Sequence, residues 1–166
     1  MKILLAVDGS PCSDQAVEEV SKRPWPEGSQ IKVLSAFELP LPITPEGWAL
    51  SPNYFEELDS GMRRQARSIV ERACRTLRTK LNPTITVESA FVPGSPRAVI
   101  LDEAKQWGAD LIVVGSHGYR VWERFLLGSV SQSVVSHAKC SVEVVRCPNV
   151  KVTAQTPATI AKEEVR

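Results

Sequence analysis

The sequence predicts a single α/β domain: a five-stranded parallel sheet with helices on both faces. Three observations carry that expectation. Two short apolar runs, Lys2-Ile-Leu-Leu-Ala-Val7 and Asp110-Leu-Ile-Val-Val114, are nearly uninterrupted, as strands buried on both faces require. Such runs alternate with amphipathic segments, the order that builds parallel strands through helical crossovers. The chain has 166 residues, 43% apolar and 23% charged, which suffices for one domain with a substantial core.

The elements follow in order. Lys2–Val7 is the first strand. Asp8-Gly9-Ser10-Pro11 comes next, with Ser10 as a good N-cap and Pro11 suited to the first helical position. Ala16, Val17 and Val20 give the first helix its apolar stripe, and the Pro24–Gly28 stretch ends it. Gln30–Phe37 is the second strand. Pro40–Pro52 is a proline-rich loop carrying Trp48, longer than an ordinary helix–strand connection; packing of Trp48 on the sheet is expected. From Tyr54 to Leu81, Leu58, Met62, Ala66, Ile69, Val70, Ala73 and Leu77 recur at helical spacing, and Asn82-Pro83 stops the helix. Thr84–Val92 is the third strand. Gly94-Ser95-Pro96 repeats the Gly-Ser-Pro of residues 9–11 and opens the third helix, marked by Ala98, Val99, Leu101 and Ala104 and ended by Gly108. Asp110–Val114 is the fourth strand, Ser129–Lys139 the fourth helix and Val142–Val145 the fifth strand. Residues 148–166 mix Thr, Ala, Pro, Lys and Glu without apolar periodicity, so a domain over 1–147 and a mobile or peripheral tail are expected.

Composition excludes several functions. A net charge of +1 exerts no overall pull toward nucleic acid or an anionic membrane. The longest apolar runs are far too short to span a bilayer, and Met1-Lys2 leads directly into a strand, so neither membrane nor nucleic-acid partners are expected and the location expected is cytoplasmic. Cys12, Cys74, Cys140 and Cys147 contain no Cys-x-x-Cys pair, and His137 with Cys140 is one pair rather than a metal site. Reduced, mostly buried thiols and no bound metal are the expectation.

The most telling segment is Gly115-Ser-His-Gly118, nine residues, then Gly128-Ser129. A strand runs into a glycine loop and the loop into a helix start, an arrangement that can hold a phosphate chain. Ligands in parallel α/β sheets bind beyond the carboxyl ends of strands at a topological switch point, and Asp8 and Gly115 both stand at such ends. The Gly-x4-Gly-Lys-Ser/Thr loop and the Gly-x-Gly-x-x-Gly fingerprint are absent. Asp8-Gly-Ser-Pro-Cys-Ser13 also lacks the paired glycines of a pyrophosphatase loop.

With those excluded, the segment Gly115-Ser-His-Gly118-Tyr-Arg-Val-Trp-Glu-Arg-Phe-Leu-Leu-Gly128-Ser129 resembles the Gly-x2-Gly-x9-Gly-(Ser/Thr) motif of the universal stress proteins, specifically their ATP-binding class. Ile3-Leu-Leu-Ala-Val-Asp8-Gly-Ser10, Gly108-Ala-Asp110-Leu-Ile-Val-Val-Gly115 and Cys140-Ser-Val-Glu-Val-Val145 look like the same family's first strand, fourth strand and ending. The resemblance covers about residues 1–147. It implies a Rossmann-like sandwich of the adenine nucleotide α-hydrolase type. It also implies ATP, with Mg2+, across the carboxyl ends of strands one and four, and a homodimer through strand five, residues 141–146. Carried over by position, Gly115, Gly118, Gly128, Ser129 and Val130 line ribose and phosphates. Asp8 faces ribose or adenine, and Ala6, Ala36 and Val114 border the adenine. The family often has proline where Ser141 stands and an apolar residue near Glu143.

Residue chemistry agrees with that assignment and keeps its alternatives open. Asp8 can accept from ribose hydroxyls or cap its own loop as an Asx-turn. Ser129 can reach a phosphate, cap the helix, or do both. The glycines suit tight turns, but three at this spacing favour phosphate contact. His117 has no carboxylate partner assignable from sequence, so a structural role in the loop is expected and no catalytic residue is assigned. Arg120 and Arg124 are expected in solvent, and Phe125, Leu126 and Leu127 under the loop. The resulting reading is a cytoplasmic regulator linked to stress that acts by binding ATP. A slow ATP hydrolase or phosphotransferase using His117 or Ser129, and a dimeric adaptor with a vestigial nucleotide site, are the rivals.

Overall fold

A computed structural model describes residues 1–38, 52–118 and 127–147, with side chains from residue 56 onward in the second stretch. The strands are β1 (Lys2–Ala6), β2 (Gln30–Phe37), β3 (Thr86–Pro93), β4 (Leu111–Gly115) and β5 (Ser141–Val145); the helices are α1 (Pro11–Lys22), α2 (Pro52–Lys80), α3 (Pro96–Trp107) and α4 (Ser129–His137). All pairings are parallel, in the order β3-β2-β1-β4-β5. The chain builds outward from β1 to β3, returns to the other side of β1 as β4, and finishes at β5. The reversal falls between β1 and β4, so their carboxyl ends form the switch-point crevice.

Alternation along β1 shows why the apolar runs are continuous. Ile3, Leu5 and Val7 join a core with Ala16, Val17 and Val20 of α1 and Val70, Ala73 and Leu77 of α2. Leu4 faces the other way, into a second core with Leu34, Ile112, Val114, Ile100 and Ala104 of α3 and Val134 of α4. Helices α1 and α2 therefore cover one face and α3 and α4 the other, so the central strands β1 and β4 meet apolar atoms on both faces. Ser10 caps α1, its Oγ accepting from the Ser13 N–H at 3.3 Å, with Pro11 first in the helix. Gly108 closes α3 in the left-handed region at φ 71.

Several boundaries differ from the sequence expectation. β3 starts at Thr86, because Asn82 Oδ1 accepts from the Thr84 N–H at 3.0 Å and holds residues 82–84 in a turn. α4 ends at His137, where Ala138 turns extended. α2 starts at Pro52, two residues before Tyr54, using proline's suitability for a first turn. Glu143 in β5 forms a forked ion pair with Arg23, just past α1, and that guanidinium lies 5.7 Å from the Trp25 ring centroid.

The expectation of four reduced thiols is corrected. Cys12 and Cys147 form a disulfide, with Cα atoms 4.7 Å apart across a separation of 135 residues. Cys12 lies in the first turn of α1 and Cys147 two residues past β5, so the topology brings both to the carboxyl edge of the sheet. No spacing in the sequence encodes that meeting. Cys74 is buried and free, and Cys140 is free and partly buried. Among the described residues, no helix is long and apolar enough to cross a membrane. Trp48, Arg120, Arg124, Phe125, Leu126 and the 148–166 segment lie outside the described residues.

Candidate functional site

A cavity of about 300 Å3 opens at the carboxyl ends of β1, β2 and β4, on the face covered by α3 and α4. That volume lies at the small end of the roughly 300–1,000 Å3 typical of small-molecule sites. It exists because the side chains at the strand ends are small. Ala6 ends β1, and Ala36 stands two residues beyond Leu34 on the same side of β2, where larger residues would close the space. Val114 of β4 and Ile100 of α3 complete an apolar slot. Polar groups converge at its other end from the loop after β1, the loop after β4 and the start of α4.

The structure brings all nine residues singled out from sequence to this one cavity: Ala6, Asp8, Ala36, Val114, Gly115, Gly118, Gly128, Ser129 and Val130. It also adds Val7, Ser10, Ser13, Leu34, Pro96, Ile100, His117 and Ser131. Ser10 and Ser13 sit in the Asp8–Ser13 segment already noted. Pro96 and Ile100 are one helical turn apart behind Gly94-Ser95, a repeat of the first loop that hinted at an equivalent position. Ser131 carried no separate signal.

The first loop is organised by Asp8. Its Oδ1 accepts from the Ser10 N–H at 2.9 Å, an Asx-turn, and Ser13 Oγ accepts from the Asp8 N–H at 3.2 Å. Asp8 thus caps its own loop and still offers the second oxygen. Oδ2 lies 2.8 Å from where a Cβ on Gly118 would sit, so the carboxylate stands against the glycine loop. Ser10 Oγ donates to the His117 carbonyl at 3.3 Å and ties the two loops together.

The glycines act through close approach. None of Gly115, Gly118 and Gly128 has a left-handed φ. A Cβ on Gly115 would stand 2.8 Å from the Cys12 carbonyl carbon and 2.9 Å from the Ser13 nitrogen. That glycine admits the head of α1 against β4. Gly128 is the N-cap of α4 and its N–H donates to the Ser116 carbonyl at 2.8 Å. Ser129 is therefore the first helical residue and not the cap. The first intrahelical bond is Gln132 N–H to Gly128 O at 2.9 Å, which leaves the earlier N–H groups from Ser129 onward for an anion at the positive end of the helix.

Behind this surface a small polar network fixes the loop. Ser131 Oγ is placed 2.9 Å from both the Ser116 and Gly128 carbonyls. Ser116 is buried, and its N–H donates to Val145 O at 2.8 Å, joining the loop to the end of β5. His117 Nδ1 lies 3.2 Å from Ser116 Oγ, whereas its buried Nε2 has no hydrogen-bond partner among the described residues. Its ring is therefore held by a hydroxyl through Nδ1. An apolar slot, a free carboxylate oxygen and a helix N-terminus together fit a base, a ribose and a phosphate.

The model of the universal stress protein family matches residues 1–146. A putative universal stress protein of Staphylococcus haemolyticus is 32% identical over 148 residues, spanning 87% of this chain and 83% of the relative. A universal stress protein of Synechocystis is 28% identical over 153 residues, spanning 87% and 97%. Among solved structures, the universal stress protein UspA of Lactobacillus plantarum superposes with a TM-score of 0.72 at 29% identity, covering 88% of this chain and 97% of that one. A family protein of Arabidopsis thaliana, solved with AMP bound, shares the fold at 20% identity and a TM-score of 0.62, covering 88% and 91%. With the match over residues 1–146, the parallel sheet and the glycine loop on one footing, the chain belongs to the universal stress protein family.

Proposed function

We propose that the protein binds ATP in the β1–β4 crevice and acts as a nucleotide-dependent regulator linked to stress, by binding rather than by rapid turnover. One observation carries the reading: an apolar slot walled by Ala6, Ala36 and Val114 leads directly to the Asp8 carboxylate and the open N-terminus of α4. The base fills the slot, Asp8 Oδ2 accepts from the ribose, and the phosphates lie over Gly118 and the N–H groups from Ser129 to Ser131. Mg2+ accompanies the phosphates. AMP in the Arabidopsis relative's structure supports the choice of an adenine nucleotide. A homodimer through the edge strand β5 and a cytoplasmic location belong to the same proposal. Isothermal titration with ATP and Mg2+, together with mass spectrometry of nucleotide retained on purification, tests it. A protein that neither retains nor binds ATP sinks the reading.

The Nε2 of His117, without a partner among the described residues, favours one rival, a slow ATP hydrolase or phosphotransferase. Phosphate release that collapses in His117→Ala while ATP affinity holds would select it over the binding reading.

A further inference from the structure

The two sulfurs of the Cys12–Cys147 bond stand in different surroundings. Cys12 is 4% exposed, and Ser116 Oγ donates to its Sγ at 3.6 Å. It is the second residue of α1, where free N–H groups and the positive end of the helix dipole favour a thiolate. Cys147 is partly exposed. In thiol–disulfide exchange the incoming thiolate attacks the accessible sulfur and expels the better-stabilised thiolate. Both criteria select the same direction here: attack at Cys147 Sγ and departure of Cys12 Sγ.

Cys12 also lies directly behind the cavity wall. It stands between Ser10 and Ser13, which line the cavity, and its backbone packs on Gly115 so closely that a Cβ there would not fit. Ser116, whose hydroxyl reaches the Cys12 sulfur, also meets Nδ1 of His117. Breaking the bond moves the sulfurs apart, and the Cys12 backbone has no freedom to follow. The movement falls on the Cys12 side chain and on Cys147, and the Ser116 hydroxyl then answers a thiol or thiolate in place of a disulfide sulfur.

We propose that Cys12 and Cys147 form a reversible dithiol–disulfide exchange site, entered at Cys147 by a small thiol of the glutathione class and coupled through Ser116 and His117 to occupancy of the adjoining cavity. In reduction, one small thiolate bonds to Cys147 Sγ. The S–S bond breaks, and its electron pair leaves on Cys12, which takes a proton from water. A second small thiolate attacks the mixed disulfide at the small thiol's sulfur and releases Cys147. Two small thiols become one small disulfide, and the protein disulfide gains two electrons. Formation is the reverse, with the small disulfide as oxidant. The coupling, unlike the exchange, rests on the nucleotide reading above.

The test equilibrates the full chain in glutathione buffers of graded ratio, quenches with acid and maps peptides by mass spectrometry. The 12–147 cross-link should form in oxidising buffer and vanish in reducing buffer. Cys12→Ser should accumulate glutathione on Cys147, whereas Cys147→Ser should leave Cys12 unmodified until the chain is unfolded. Absence of the cross-link at every ratio overturns the exchange site, and so does preferential modification of Cys12. Coupling is read as a change in ATP affinity between the oxidised and reduced forms, expected at about fivefold or more, with saturating ATP shifting the glutathione midpoint by the same factor. Equal affinities and an unmoved midpoint overturn the coupling. Exchange without ATP binding in either form overturns the coupling together with the nucleotide reading, while the exchange site stands.

Discussion

Replacing Gly115 by Ala and Gly118 by Ala should separate a glycine required by packing from one required by the site. The Cβ of Gly115→Ala would stand 2.8, 2.9 and 3.0 Å from Cys12 C, Ser13 N and Cys12 O. All three are backbone atoms of the first turn of α1, which Ser10 caps, so no side-chain rotation relieves them. The helix or the end of β4 must shift, and overpacking of that kind costs about 3 kcal/mol, the upper part of its usual range. At roughly 2–4 °C per kcal/mol for a chain of this size, the melting temperature should fall by about 6–12 °C. Among the described residues, the added methyl in Gly118→Ala meets only Asp8 Oδ2, at 2.8 Å, the far end of an exposed side chain that can swing aside. Its stability cost should stay below about 0.5 kcal/mol, yet Asp8 leaves its place, so ATP affinity should fall at least tenfold. Circular dichroism melts and isothermal titration read the two effects separately. A Gly115→Ala protein that melts with wild type would refute the packing argument. Equal loss of stability in the two variants would refute the distinction between them.

Ala36→Leu should fill the apolar slot beside Ala6 and Val114; ATP affinity should drop sharply with the melting temperature held within a few degrees, and unchanged affinity would place the base elsewhere. Leu77→Ala removes a fully buried side chain of α2 and should cost about 2–5 kcal/mol, measured by urea denaturation. The hydrogen bond from Lys80, followed by its charge, holds the Glu18 carboxyl below its ordinary value of 4.5 and links α1 to α2 at 2.7 Å. A lowered carboxylate contributes stability in full above its unfolded value and loses it as the pH falls through its folded one. The difference between wild type and Lys80→Met should therefore be small at pH 7, about 0.5 kcal/mol or less for so exposed a pair. It should disappear in acid as Glu18 protonates; a difference that persists there contradicts the assignment.

Much of the fold was legible because its causes are local. Lys2–Val7 and Asp110–Val114 are apolar at every second position on both sides, a pattern that only a strand covered on both faces uses fully. Ser10-Pro11 and Gly108 mark a helix start and a helix end through backbone preferences that need no neighbour. The loop glycines were legible as a group, but the reason for each was not. Gly115 answers to Cys12 and Ser13, more than a hundred residues earlier in the chain, and Gly128 is the cap, one of the roles the sequence had left open for Ser129.

The sequence alone determined the α/β class and the succession of elements, since periodicity and caps act along the chain, and the nine residues that meet at the crevice came from the Gly-x2-Gly-x9-Gly-Ser spacing together with what the family resemblance implied by position. Which elements lie side by side depends on how strands pair and helices pack, a cooperative property of the whole sheet. The order β3-β2-β1-β4-β5 is what sets Asp8 against Gly118, pairs Arg23 with Glu143 and closes Cys12 on Cys147. Each of these joins residues whose separation in sequence carries no force between them until the sheet forms.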